Sequence, residues 1–301
     1  MIEGIFVEGL LYGLMALGVF ITFRVLDFPD LTVDGSFPLG AAVMAASLTA
    51  GLPSWLGLLL ALLAGALAGG VTAVIHNRLG VPSLLAGILT MTMLYSVNIR
   101  ILGGKANISL LRTTHLLDRL QALVPQNVST VAVELVFFGL IAALIVFILN
   151  LFFLTDLGLT LGALGGNERM VVAQGTNPHM LKFIGVGLSN SLVALSGAFV
   201  ALYQGFADAG LGTGMVVSGL AMVMMGEFLI RSTRIHWQLI RVLTGAVIYK
   251  AIMFAGRYYG YTIKLTPSDL KLITGLLIIA SLILSKKDLA AAWKKRRSQA
   301  S

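Results

Sequence analysis

Apolar blocks of roughly 16 to 24 residues recur along the whole chain, and polar residues collect in the intervals between them. The pattern predicts nine membrane-spanning helices, at about 4–23, 35–50, 55–75, 83–101, 131–154, 180–204, 215–230, 236–256 and 268–285. Two of these are short. The blocks 35–50 and 215–230 hold about 16 residues each, roughly 24 Å of helix against a hydrocarbon core of about 30 Å. Each follows a segment broken by glycine or proline, the first of them reading DFPDLTVDG from Asp27 to Gly35.

Two intervals are long. In the segment Lys105 to Thr130, Leu116, Leu117, Leu120, Leu123 and Val124 recur at helical spacing against Asp118, Arg119 and Gln121, which predicts an amphipathic helix on the membrane face. Such a helix serves either as a docking surface or as a cover over the end of the bundle. The segment 155–182 reads TDLGLTLGALGGNERMVVAQGTNPHMLK, a glycine-rich lead followed by a short helical pattern. Asn167 suits the N-cap, Glu168 suits the positive helix end, and Gly175 suits the C-terminal turn, so a two-turn helix is predicted over Asn167, Glu168, Arg169, Met170, Ala173 and Gln174. So short a helix is unstable alone, and a partner's groove would hold it. An ordinary capped loop is the other reading.

Composition changes the picture from helical to membrane-embedded. Apolar residues make up 57% of the 301, charged residues only 11%, and the mean hydropathy is +0.94, which is outside the soluble globular range. The fold class expected is therefore all-α and polytopic, with one membrane-embedded unit over 1–285 and a basic tail over 286–301. The first apolar block is preceded by Glu3 and not by basic residues, and reads as a retained span. Charge sets the orientation. Six basic residues follow the last block between Lys286 and Arg297, which predicts a cytoplasmic C-terminus and, with nine spans, an external N-terminus. The net charge of +8 then reads as a cluster beside anionic membrane lipids and not as a nucleic-acid surface. There is no cysteine, and the four histidines are scattered, so thiolate chemistry and a metal site are not expected. The only Gly-Lys pair, Gly104-Lys105, lacks the glycine spacing of a phosphate-binding loop, so ATP is not bound here. No Ser/His/Asp constellation points to an enzyme.

Thr155, Leu157, Gly158, Leu161, Ala163, Gly165, Asn167, Ala173 and Gly175 resemble the coupling-helix loop of permease subunits in type II ABC importers of the branched-chain amino acid and ribose permease superfamily. Gly162 stands where that loop usually has arginine, with Arg169 nearby in the same segment. The stretches Ala86 to Asn98 and Val223 to Glu227 resemble the branch that takes up tryptophan and related amino acids. The resemblance implies a transport subunit of an inner membrane that pairs with a second permease copy. It also implies two cytoplasmic ATPases that carry ATP and magnesium, and an external substrate-binding protein. A proton- or ion-coupled secondary transporter is the competing class.

An internal repeat bears on the transport path. A shift of 178 residues aligns Gly9, Leu10, Leu14, Ala16, Leu17, Phe28 and Asp30 with Gly187, Leu188, Leu192, Ala194, Leu195, Phe206 and Asp208. The predicted spans give the two units opposite directions, which is the inverted-repeat arrangement. Candidate path residues are therefore Asp27, Asp30, Asp34, Asp208, Glu227 and Asn98. Asp30 and Asp208 are expected to form polar constrictions at opposite ends, and Asp34 to cap its own helix. Ordinary surface turns are the alternative for Asp27, Asp30, Asp34 and Asp208. Glu227, in an apolar run, must pair, snorkel or line water, with Lys182, Arg231 and Arg241 as candidate partners.

Overall fold

The computed structural model describes residues 2–111, 113, 116–122, 129–230 and 232–260, with isolated positions 272, 275, 276 and 279. The helices are α1 (Ile2–Phe20, continued by a π-helical turn Ile21–Val25), α2 (Val33–Thr49), α3 (Ser54–Leu79), α4 (Ser83–Ile101), α5 (Leu116–Ala122) and α6 (Thr130–Leu154). They continue as α7 (Asp156–Gly166), α8 (Glu168–Ala173), α9 (Pro178–Gln204), α10 (Met215–Leu229) and α11 (Ile235–Gly260). A two-stranded antiparallel ribbon, β1 (Asn107–Ser109) with β2 (Phe206–Asp208), is the only strand structure among the described residues. Eight of the predicted spans are present as helices, α1 to α4, α6 and α9 to α11; the ninth, 268–285, and the basic tail lie outside the described residues.

Among the described residues, six helices, α1, α3, α4, α6, α9 and α11, are long and apolar enough to cross a membrane. The two short predicted blocks are α2, 17 residues, and α10, 15 residues. The long helices differ in place. In α1 and α9, 72% of the apolar window is buried, against 17% in α6. The first two therefore form the centre of the bundle, and α6 turns Val136, Leu140, Leu144, Phe147, Ile148 and Leu151 outward, as a lipid-facing helix does.

The central pair runs antiparallel. Ser189 donates to the Gly18 carbonyl at 2.7 Å, and Ser196 donates to the Leu11 carbonyl at 2.7 Å. The 178-residue shift carries Gly18 onto Ser196 and Leu11 onto Ser189, so the two hydrogen bonds exchange under the repeat. The same exchange relates α9 lying on α2 and α3 to α1 lying on α10 and α11. The two repeat units, α1–α3 and α9–α11, thus interlock with opposite polarity. Small residues make this close approach possible. A Cβ on Gly40 of α2 would lie 1.8 Å from the Ala194 carbonyl oxygen, and one on Gly65 of α3 would lie 2.3 Å from that of Asn190.

One interval differs from the sequence reading, and a second is as expected. The glycine-rich lead over 155–166 forms a true helix, α7, because Thr155 caps it by accepting from Gly158 N at 3.2 Å and because Gly165 packs on the backbone of Val25. Tertiary contact overrides the poor helix propensity of four glycines. The amphipathic helix is present as α5. It buries Leu117 in the main core, which makes it a cover over this end of the bundle, while Leu123 and Val124 fall outside the described residues.

Replacing Gly40 with valine will force α2 off α9, a change on the order of 1–3 kcal/mol or more. Gly139→Ala on α6, with open space around it, will be neutral within about 0.5 kcal/mol. Thermal unfolding of the purified protein in detergent checks both. Equal midpoints for Gly40→Val and the parent would mean that α2 and α9 do not approach this closely.

Candidate functional site

The DFPDLTVDG stretch folds back into the bundle. Val25 ends the π-helical turn of α1, Asp27 takes a left-handed conformation with φ +50°, and the chain turns inward to start α2 at Val33. Asp30 is fully buried at the middle of the molecule. Its carboxylate accepts from Thr32 N at 2.8 Å and from Asn190 Nδ2 at 2.7 Å, and Asn190 is one residue before the midpoint of the 27-residue α9. Ser36 then donates to Asn190 Oδ1 at 2.7 Å, and the Thr32 and Thr72 hydroxyls meet at 2.7 Å. α2 therefore begins deep in the bundle, with its buried polar groups satisfied by α9 and α3.

The inverted unit repeats the device. The Asp208 carboxylate accepts from Gly210 N at 2.6 Å, the same two-residue turn that Asp30 makes with Thr32, and takes its side-chain partner from Asn107 Nδ2 at 3.2 Å. Beyond it the chain enters α10 through Gly214, at φ +83°.

The two short helices meet head to head, with Asp34 between them. Its carboxylate accepts from Gly214 N at 2.9 Å and from Val216 N at 2.8 Å, so it caps α10 and not its own helix. Thr32 occupies the N-cap position of α2 without a side-chain bond. The physical reason is the repeat: the shift carries Asp34 onto Gly212, so these two residues face each other across the relating axis. A Cβ on Gly212 would lie 1.7 Å from the Asp34 carbonyl. That carbonyl is left open because Pro38, four residues on, has no N–H to reach it.

A cavity of about 250 Å³ opens at this junction, lined by Asp34, Gly35, Pro38, Met91, Thr92, Tyr95, Asn98, Ala209, Gly210 and Thr213. Asn98 is wholly buried, donates to the Gly35 carbonyl at 3.2 Å, and has an Oδ1 with no hydrogen-bond partner. Of the six predicted path residues, Asp34 and Asn98 line this cavity. Asp30 and Asp208 anchor the segments on either side of it.

Glu227 and Asp27 lie elsewhere. Glu227, near the end of α10, accepts from Arg24 Nε at 2.7 Å and from Arg241 at 3.0 Å. Arg241 was legible as a partner. Arg24 was not, because it belongs to the other repeat unit, and Lys182 bonds Glu168 instead. Arg231 lies outside the described residues.

The same end of the bundle carries α7 and α8. α8 is a six-residue helix, with Asn167 Oδ1 accepting from Met170 N at 3.1 Å and Gly175 at φ +82°. Val171 is buried, whereas Arg169, Met170, Val172, Ala173 and Gln174 are exposed. Glu168 ties α8 to α9 through Lys182, with both carboxylate oxygens 3.1 Å from Nζ. Lys182 in turn lies 3.5 Å from His76 Nε2, and the His76 ring stands edge-on to Phe28 at 5.1 Å. An exposed short helix is thereby joined to the segment that starts α2. The links of His76 to Lys182 and to Phe28 carried no sequence signal, since they depend on α3 lying beside α9 and beside the segment that starts α2.

Comparison with known proteins agrees with this architecture. Residues 1–282 match the family described as branched-chain amino acid transport system, permease component. The chain is 37% identical over 281 residues to a tyrosine transport system permease protein of Clostridioides difficile, covering 93% of this chain and 90% of that one. It is 31% identical over 274 residues to an uncharacterized protein of Rickettsia prowazekii, covering 91% and 94%. The solved structure of PsaBC from Streptococcus pneumoniae in complex with Fab has the same fold, with a TM-score of 0.53 at 15% identity over 92% of this chain and 89% of that chain. The chain is a multi-pass membrane protein of the branched-chain amino acid transport system permease family, a transport subunit and not an enzyme.

Proposed function

We propose that this permease imports an amino acid with an aromatic side chain, driven by ATP hydrolysed on partner subunits. The observation that carries the reading is the 37% identity, over nearly the full length of both chains, to a tyrosine transport permease. In this reading two permease copies pair, two ATPases dock on the α8 end, and a binding protein delivers substrate at the ribbon end. The α8 end is then cytoplasmic, with the N-terminus outside and the basic tail inside. Support for this orientation comes from the six basic residues between Lys286 and Arg297.

The exposed Arg169, Met170, Ala173 and Gln174 supply the docking face, while Asn167, Glu168 and Gly175 fix its angle. The path runs through the junction of α2 and α10, where backbone can leave the helix because it faces protein or a cavity and not lipid. The permease does no covalent chemistry. ATPase closure moves α8, α7 follows, and the Val25 and Phe28 contacts transmit that displacement to the start of α2. Asp30 and Asp208 hold the two inner segments, and Glu227 holds α10 to α1 and α11.

Purified permease reconstituted into vesicles will accumulate labelled tyrosine only with the ATPase, internal ATP and the binding protein all present. Accumulation driven by a proton gradient without ATPase would make it a secondary transporter.

Glu168→Lys removes the Lys182 pair and puts a positive charge at a helix N-terminus, and Gly175→Val strains a left-handed turn by about 1 kcal/mol. Both variants will insert and fold, yet lose most transport-stimulated ATP hydrolysis. Full hydrolysis and transport in both would take this helix out of the coupling role.

A further inference from the structure

The cavity at the helix junction has an unbalanced lining. Besides hydroxyls, its lining residues hold the Asp34 carboxylate, which uses one lone pair on each oxygen for Gly214 and Val216, and Asn98, whose buried Oδ1 has no partner. No lysine, arginine or histidine lines it. Each carboxylate oxygen keeps a free lone pair, and a buried carbonyl left unsatisfied is destabilising. Such a site calls for a donor, and a cationic one best, since a charge-assisted bond is roughly twice as strong as a neutral one.

The remaining walls are of a different kind. Pro38, Met91 and Tyr95 give an apolar side, and Thr92 and Thr213 add hydroxyls. The volume, about 250 Å³, is just below the ~300–1,000 Å³ of pockets for drug-sized ligands, so it suits a single amino-acid-sized solute.

We propose that this cavity is a transit subsite for a small primary amine with an apolar or aromatic body, its ammonium received by Asp34 and Asn98. The assignment rests on the import reading above and names the part of the cargo that the path recognises. Binding here is weak, because the carboxylate is already shared with a helix end. Weak binding lets the cargo leave.

The chain has no cysteine, which makes the test direct. Thr92→Cys on α4 and Thr213→Cys on the opposite wall are made separately in the assembled transporter. Each is labelled with methanethiosulfonate reagents of equal length, one ending in trimethylammonium and one in sulfonate. With each rate divided by that reagent's rate with 2-mercaptoethanol, the cationic reagent will react at least tenfold faster at both positions. Asp34→Asn, which removes the charge and keeps one oxygen to accept from the start of α10, will cut that preference to threefold or less. Millimolar tyrosine and tyramine will slow labelling, whereas 3-(4-hydroxyphenyl)propionate, which lacks the amine, will not.

Equal rates for the two reagents, an unchanged preference in Asp34→Asn, or equal protection by the amine-free acid would each overturn the subsite. ATP-dependent tyrosine uptake is measured on the same preparations. Uptake intact with the labelling pattern absent discards the subsite alone, and loss of ATP-dependent uptake in the parent discards the import reading.

Discussion

Two helices that start inside a membrane bundle bring their N-termini together, and each end carries about half a positive charge with unbonded N–H groups. In lipid or dry protein that arrangement is unfavourable unless something negative lies between them. Asp34 is that group. It stands on the axis that relates the two repeat units, and it bonds the first N–H groups of α10 while sitting in the first turn of α2. One carboxylate therefore serves both helix ends. The strict repeat is broken at this point: the equivalent residue is Gly212, because a second side chain has no room.

The rest of the bundle keeps this junction in register. α9 lies against α1, α2 and α3, and serine and asparagine on α9 bond the backbone of α1 and the side chains at the start of α2. Close packing through Gly40 and Gly65 leaves α2 and α3 no freedom to slide on α9 without parting from it. A rigid core around a polar junction is what lets a displacement at one end act on the junction as a whole. That displacement has two ways in: Gly165 against the Val25 backbone, and Glu168 through Lys182 and His76 to Phe28. Both arrive at the segment where Asp27 takes its left-handed turn.

Glu227 has a parallel role for the second unit. Its ion pairs with Arg24 and Arg241 join α10 to α1 and α11 at the α8 end. Both units of the repeat are thus tied by charged or polar side chains at this end. The ribbon end is closed by backbone pairing of β1 with β2 and by the α5 cover, with Asp208 held by Asn107. That end carries an ion pair as well, Glu8 of α1 with Lys250 of α11 at 3.1 Å, so the strand ladder adds to charge pairing there.

What the sequence determines by itself is local. Apolar block length sets the spans, and eight of them stand where hydropathy puts them; Asn167, Glu168 and Gly175 bound α8 through capping and turn preferences that act within one or two turns. The repeat too was legible, through Phe28 and Asp30 against Phe206 and Asp208, because shared structure leaves shared residues. What only the tertiary structure decides is which polar group meets which. Asp34 looks like a cap for its own helix, and only the approach of Gly214 and Val216, 180 and 182 residues away, makes it the cap of another. Asn190, at the hub around Asp30, reads as one more polar residue in an apolar run, and α7 reads as a glycine-rich loop until Val25 packs on it. Capping and hydropathy act between neighbours in the chain, while a buried polar group takes whichever partner the folded bundle brings within about 3 Å.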